Sequence, residues 1–209
     1  MDALLQPLQP FFAAAFSLWG SPVSWLEIVA FVLSIAMVLY NMRVDPLGWP
    51  LAIVSSLLYF ALLWTNGLYG EAWLQIFFVA VAGWGWWQWL RGTQADGSAL
   101  RPRPLDARGR WLALGAFALA WPLLGWLLHR HTDSQVPWWD AFPTAGSVIA
   151  QALLGRQYIE NWPAWIVVNI VSVALFAYKA LWLTALLYAI FVALSFAGWR
   201  AWRRLAAAA

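Results

Sequence analysis

Apolar runs about as long as a bilayer is thick recur along almost this entire chain, and they leave it few folds to choose from. Seven segments have spanning length or come close: roughly Ser24–Asn41, Gly48–Thr65, Tyr69–Leu90, Trp111–His129, Trp138–Gly155, Trp162–Lys179 and Leu181–Trp202. About 20 predominantly apolar residues make a helix long enough to cross the hydrocarbon core. A soluble globule of 209 residues could not hide a chain that is 64% hydrophobic and only 10% charged, so the excess needs lipid as its solvent. The 19 Trp residues point the same way, because indole rings favour the membrane–water boundary. The class expected is an all-α integral membrane protein with seven transmembrane helices.

The breaks between runs carry turn chemistry: Gly20-Ser21-Pro22, Asp45-Pro46-Leu47-Gly48 and Thr65-Asn66-Gly67. Pro50 and Pro163 each follow a Trp at a helix start, where the missing N–H costs nothing. The N-terminus lacks the basic region of a cleavable signal peptide. Its apolar run Phe11–Trp19 is too short to span, so residues 1–22 are expected to form an interfacial segment with a short helix.

The chain also repeats itself. Shifted by 113 positions without a gap, residues 24–91 fall on residues 137–204: Trp25 meets Trp138, Glu27 meets Asp140, Ser34 meets Ser147, and Arg43 meets Arg156. Trp49-Pro50 then meets Trp162-Pro163, Gly85-Trp86 meets Gly198-Trp199, and Arg91 meets Arg204. Apolar matches are cheap in such a composition, but matched Trp-Pro pairs, acids and arginines in one register are not. Each unit holds three runs. A polar stretch at 92–110 and a linker run at 111–131 separate them, which makes the repeats parallel, a 3+1+3 plan with solute expected between the repeats near the midplane. Arg43, Arg91, Arg101, Arg103, Arg108, Arg110, Arg156, Arg200, Arg203 and Arg204 share one face, against Arg130 and Lys179 on the other. That bias places the C-terminus in the cytoplasm and the N-terminus outside.

Polar side chains deep in apolar runs are costly and are functional candidates by default. Here they are Ser34, Ser55, Ser56, Tyr59, Gln75, Thr144, Ser147, Gln151, Asn169, Ser172 and Tyr188, with Gln88 nearer the cytoplasmic end. Hydroxyls have a plainer use, bonding the carbonyl a turn earlier and letting helices pack closely. Amides are harder to dismiss because their several hydrogen-bonding sites need partners. Under the repeat, Gln75 falls on Tyr188 and Ser56 on Asn169. Trp19, Trp25, Trp49, Trp111, Trp138, Trp139, Trp162 and Trp202 sit at segment ends as an interfacial belt, whereas Trp84-Gly85-Trp86-Trp87-Gln88-Trp89, and Trp165, Tyr178 and Trp182, are denser than anchoring requires. Such faces can stack on a flat or cationic solute, a contact worth about 2 kcal/mol when desolvated. Glu27 and Asp140 suit the helix-start dipole and could also draw in a cation.

The exclusions are informative. With no Cys there is no disulfide, thiolate nucleophile or thiolate metal site. His129 and His131 flank Arg130 without a carboxylate cluster, so no metal is expected, and His129, His131, Asp133 and Asp140 form no catalytic constellation. No phosphate-binding loop argues for an ATP engine. The net charge of +3 reflects topology rather than a nucleic-acid partner. No cofactor is expected, and the chain reads as a transporter rather than an enzyme.

The run Gly48-Trp49-Pro50 through Ser55-Ser56-Leu57-Leu58-Tyr59, then Gly67-Leu68-Tyr69, Leu74-Gln75 and Gly85-Trp86-Trp87-Gln88-Trp89, resembles the PnuC-type vitamin transporters. The second half agrees through Asp140, Ser147, Glu160-Asn161-Trp162, Trp165, Asn169, Tyr178-Lys179 and Gly198-Trp199. The resemblance covers about Ser24 to Trp202. It implies a SWEET-like fold, self-association as a trimer, and facilitated diffusion of nicotinamide riboside across a bacterial inner membrane, with intracellular phosphorylation trapping the vitamin for NAD biosynthesis. It also implies that Gln75, Gln88, Asn169 and Tyr188 bond ribose or carboxamide and that Trp182 and Tyr59 stack or gate; Ser147 and Gln151 join the candidate contacts as polar residues deep in an apolar run. Thiamine, riboflavin or a sugar is the alternative solute on the same scaffold.

Overall fold

The computed structural model describes residues 10–65, 69–93, 97, 100–132, 134 and 136–208. The Asn66-Gly67 turn, Asp133 and the first nine residues of the chain lie outside the described residues. Among those described, a hairpin of β1 (Ala14–Leu18) and β2 (Ser21–Ser24) precedes seven helices. These are α1 (Trp25–Met42), α2 (Gly48–Thr65), α3 (Tyr69–Arg91), α4 (Ala107–His131), α5 (Pro137–Gly155), α6 (Asn161–Tyr178) and α7 (Trp182–Ala207). Each apolar run became a helix with ends within a few residues of those expected. Five of them, α1, α2, α4, α6 and α7, are long and apolar enough to cross a membrane. The other two, α3 and α5, are the helices that carry Gln75, Gln88 and Gln151.

The interfacial helix expected within residues 1–22 is replaced, from Ala14 onward, by the antiparallel hairpin, in which Phe16 pairs with Val23 and Ser17 with Pro22. Trp19 and Gly20 turn the chain with φ of 48° and 86°. Two adjacent positive φ values suit the right-handed twist of a hairpin, and Pro22 would have broken a helix continuing through it. Ser24 then caps α1, its hydroxyl accepting the Glu27 N–H at 3.2 Å. The helix-start role read for Glu27 is the one this geometry provides.

The helices fall into two compact units, residues up to Trp87 and residues from Gln88, with the boundary inside α3. In the first unit α1 packs on α2. Ser34 donates to the Ala30 carbonyl at 2.8 Å and meets Ser55 Oγ at 2.8 Å, so both hydroxyls serve helix packing. In the second unit α5 packs on α4 and α6, and α6 on α7. Phe142 of α5 sits edge-on to Phe117 and Trp121 of α4, at 5.0 and 5.2 Å between ring centres. Only Gly125 of α4 is buried, which leaves Leu112, Leu119 and Leu123 exposed. So much exposed apolar surface belongs against lipid.

The two units build the same turn from different residues. Between α1 and α2, Val44 N–H donates to the Asn41 carbonyl, Asp45 to Tyr40, Gly48 to Asp45 and Trp49 to Pro46, at 3.0–3.1 Å. Between α5 and α6, Gln157 donates to Leu154, Tyr158 to Leu153, Asn161 to Tyr158 and Trp162 to Ile159, at 2.9–3.1 Å. The register is again 113 positions. Val44 and Gln157 both hold φ at 58°. A β-branched residue is strained there, so Val44→Gly is expected to raise stability by about 1 kcal/mol, read as a higher melting midpoint in detergent. Beyond the turn, Gly85 of α3 lies against the Trp49 ring and Gly198 of α7 against the Trp162 ring. Trp49 and Trp162 are both buried.

Candidate functional site

The polar residues of α5 repeat at helical spacing. Asp140, Thr144, Ser147 and Gln151 follow one another at steps of four, three and four, which puts them in one narrow arc of the helix. That arc differs from the one bearing Phe142, which meets α4, and from the one bearing Gly146, whose neighbour is Val168 of α6. All four residues are half-buried.

Their hydrogen bonding divides the stripe. Asp140 is occupied: Lys179 Nζ lies 2.6 Å from one carboxylate oxygen and Ser134 Oγ donates to the other at 2.6 Å. With its charge already answered, Asp140 is a poorer lure for a cation than its position alone suggested. Thr144 donates back to the Asp140 carbonyl at 3.0 Å, the self-satisfied use of a helical hydroxyl. Ser147 and Gln151 remain, and neither side chain makes a hydrogen bond among the described residues. An amide left unpaired in an apolar medium costs about 2–7 kcal/mol, so these two groups need water or a solute.

Asn169 and Tyr188 sit elsewhere, along the α6–α7 contact. Asn169 is buried and its Nδ2 donates to Ser195 Oγ of α7 at 3.3 Å. The Tyr188 ring stacks on Phe176 at 5.1 Å and meets Phe191 edge-on at 5.7 Å. Further along the same seam Trp162 meets Trp202 edge-on at 5.5 Å, and Trp89 contributes by donating its Nε1 to the Leu154 carbonyl at 3.1 Å. This seam is a packed ladder in which Asn169 joins two helices. Trp182, at the start of α7, is exposed, and Gln88 is half-buried. In the first unit Tyr59 of α2 and Gln75 of α3 are half-buried, and Gln75, like Gln88, has no side-chain hydrogen bond among the described residues. Ser195, Phe176 and Phe191 were not singled out from the sequence; Ser195 lies seven residues after Tyr188, a spacing that places both on one face of α7.

Among the described residues no group of three or more His, Asp or Glu side chains could hold a metal ion. Bundled apolar helices that carry half-buried, unpaired polar side chains, Ser147 and Gln151 on α5 and Gln75 and Gln88 on α3, define a multi-pass membrane protein of the transporter class. The sequence matches the nicotinamide mononucleotide transporter family over residues 24–204. It is 30% identical to the riboflavin/roseoflavin transporter RibM of Streptomyces davaonensis, across 90% of this chain and 89% of that one. It is 25% identical to the nicotinamide riboside transporter PnuC of Escherichia coli, across 88% and 87%. The crystal structure of the vitamin B3 transporter PnuC superposes with a TM-score of 0.72 at 26% identity, covering 87% of this chain and 81% of that one. The chain belongs to the nicotinamide mononucleotide transporter family, the PnuC-type membrane vitamin transporters, and is not an enzyme.

Proposed function

We propose that the protein carries nicotinamide riboside across the bacterial inner membrane by facilitated diffusion, with intracellular phosphorylation drawing the vitamin inward. The observation behind this reading is the unpaired pair Ser147 and Gln151, one turn apart on the half-buried arc of α5. A hydroxyl and a carboxamide at that spacing can take the hydroxyls of a ribose or the amide of a nicotinamide ring. Gln75, Gln88, Tyr59 and Trp182 are proposed as further contacts. Asn169 and Tyr188, which the family resemblance gives as contacts, are proposed to support the site from the α6–α7 seam, where Asn169 meets Ser195 and Tyr188 stacks on Phe176.

All seven helices are taken to span, as 3+1+3 parallel repeats in a SWEET-like arrangement. The matched turns and the matched Gly–Trp contacts support this. The Lys/Arg bias supports an outside N-terminus and a cytoplasmic C-terminus. Assembly as a trimer is carried from the family resemblance.

A second reading has an observation of its own: the chain is 30% identical to the riboflavin/roseoflavin transporter and 25% identical to the Escherichia coli nicotinamide riboside transporter, both nearly full length. Riboflavin also joins a flat heteroaromatic ring to a polyol chain. Calorimetry on purified protein separates the two. Saturable heat with nicotinamide riboside and none with riboflavin, thiamine or glucose is the expected result. Heat with riboflavin alone reassigns the solute. The mononucleotide should not bind, since its phosphate would meet no deep Arg or Lys.

A further inference from the structure

A groove of about 510 Å³ opens on the second unit where α4 and α6 begin and α7 ends. Its lining includes apolar Ile159 and Pro163, the Trp199 ring, the carboxylate of Glu160, and the guanidinium groups of Arg110 and Arg203. Glu160 is fully engaged. One oxygen takes Arg110 Nε and Nη2 at 3.0 and 2.9 Å, and the other accepts the Leu105 N–H at 2.9 Å. Arg110 is still 55% exposed at its side chain and has further N–H groups to offer. Arg203 lies 5.7 Å over the Trp199 ring, and its N–H donors have no acceptor among the described residues. Two arginines against one carboxylate leave a single excess positive charge beside an apolar surface.

We propose that this groove binds the headgroup of an anionic phospholipid, with Arg203 and the remaining N–H groups of Arg110 holding the phosphate and the apolar lining receiving the start of an acyl chain. Arginine forks match phosphate oxygens, and basic pockets between membrane helices are suited to such headgroups. The position fits. α7 is long and apolar enough to cross a membrane, Trp199 and Arg203 occupy its last turns, and aromatic and basic residues at helix ends mark the interface. One excess charge also matches a phosphodiester better than a phosphomonoester, which carries about −1.5 to −2 at neutral pH. A free phosphate would leave the apolar lining unmatched.

Native mass spectrometry of the full-length protein in detergent, with phosphatidylglycerol, phosphatidylcholine or inorganic phosphate added, tests this. Wild type should retain phosphatidylglycerol under collision energies that strip phosphatidylcholine. Arg203→Gln should lower that retention about fivefold, the worth of one basic residue at an anionic surface. Arg203→Lys, which keeps the charge but not the fork, should fall between them and serves where the Gln variant is not recovered. Arg130→Gln, at the far end of α4, should change nothing. Equal retention of phosphatidylcholine, or no loss in either Arg203 variant, overturns the proposal. So does millimolar inorganic phosphate that displaces the bound phosphatidylglycerol. Calorimetric binding of nicotinamide riboside is independent of all these outcomes, so this proposal and the functional one fail separately.

Discussion

Gly198→Leu is expected to destabilise the second unit by about 3 kcal/mol, at the upper end of the usual cost of overpacking. A Cβ at Gly198 would lie 2.5 Å from the Trp162 ring. The ring has nowhere to go: Trp162 is 2% exposed, and its neighbour Trp202, met edge-on, is fully buried. A loss of that size lowers the melting midpoint in detergent by on the order of 10 °C for a domain of this length. Combining Gly198→Leu with Trp162→Leu should recover part of the loss, because the two residues share one contact and their effects cannot add. A midpoint for Gly198→Leu within 2 °C or so of wild type would show that α6 and α7 are not packed this way.

The second large effect separates a solute contact from a helix contact. Gln151→Leu should weaken nicotinamide riboside binding by about 10- to 100-fold, the loss of one or two hydrogen bonds in a dry site, and leave the melting midpoint unchanged or higher. Asn169→Leu should do the reverse. It strips Ser195 of its partner in the membrane, where such a bond is worth about 0.6–1.7 kcal/mol, so the midpoint falls while affinity changes little. Both variants are measured by calorimetry and thermal melting on the same preparation. If Gln151→Leu melts early and binds normally, the stripe on α5 is helix packing and the site lies elsewhere.

Much of this architecture was legible in one dimension. Hydropathy is a local property, so the apolar runs and the helices drawn from them agree closely. The duplication was legible because Trp-Pro, Gly-Trp, acid and Arg positions recur in one register. That register predicts the common turn, whose hydrogen bonds then match pair for pair. The N-terminal hairpin was misread as a helix because its apolar run is short and its alternation weak. The signal that decides it is the adjacent pair Trp19 and Gly20, both at positive φ.

The sequence alone therefore determined that the chain is a multi-pass protein of membrane helices and where those helices break. It could not say what each polar residue touches, because that depends on how a helix is rotated and how far along its neighbour it sits. Asn169 and Gln151 looked alike as buried amides; rotation set one against Ser195 and left the other open on a half-buried arc. The turn amide makes the same point. Asn41 lies against Gly48 in the first unit, whereas in the second the matched positions are Leu154 and Asn161, so the amide comes from the opposite helix. Composition cannot tell those arrangements apart, since only the distance between two helices decides which of them has room for a side chain.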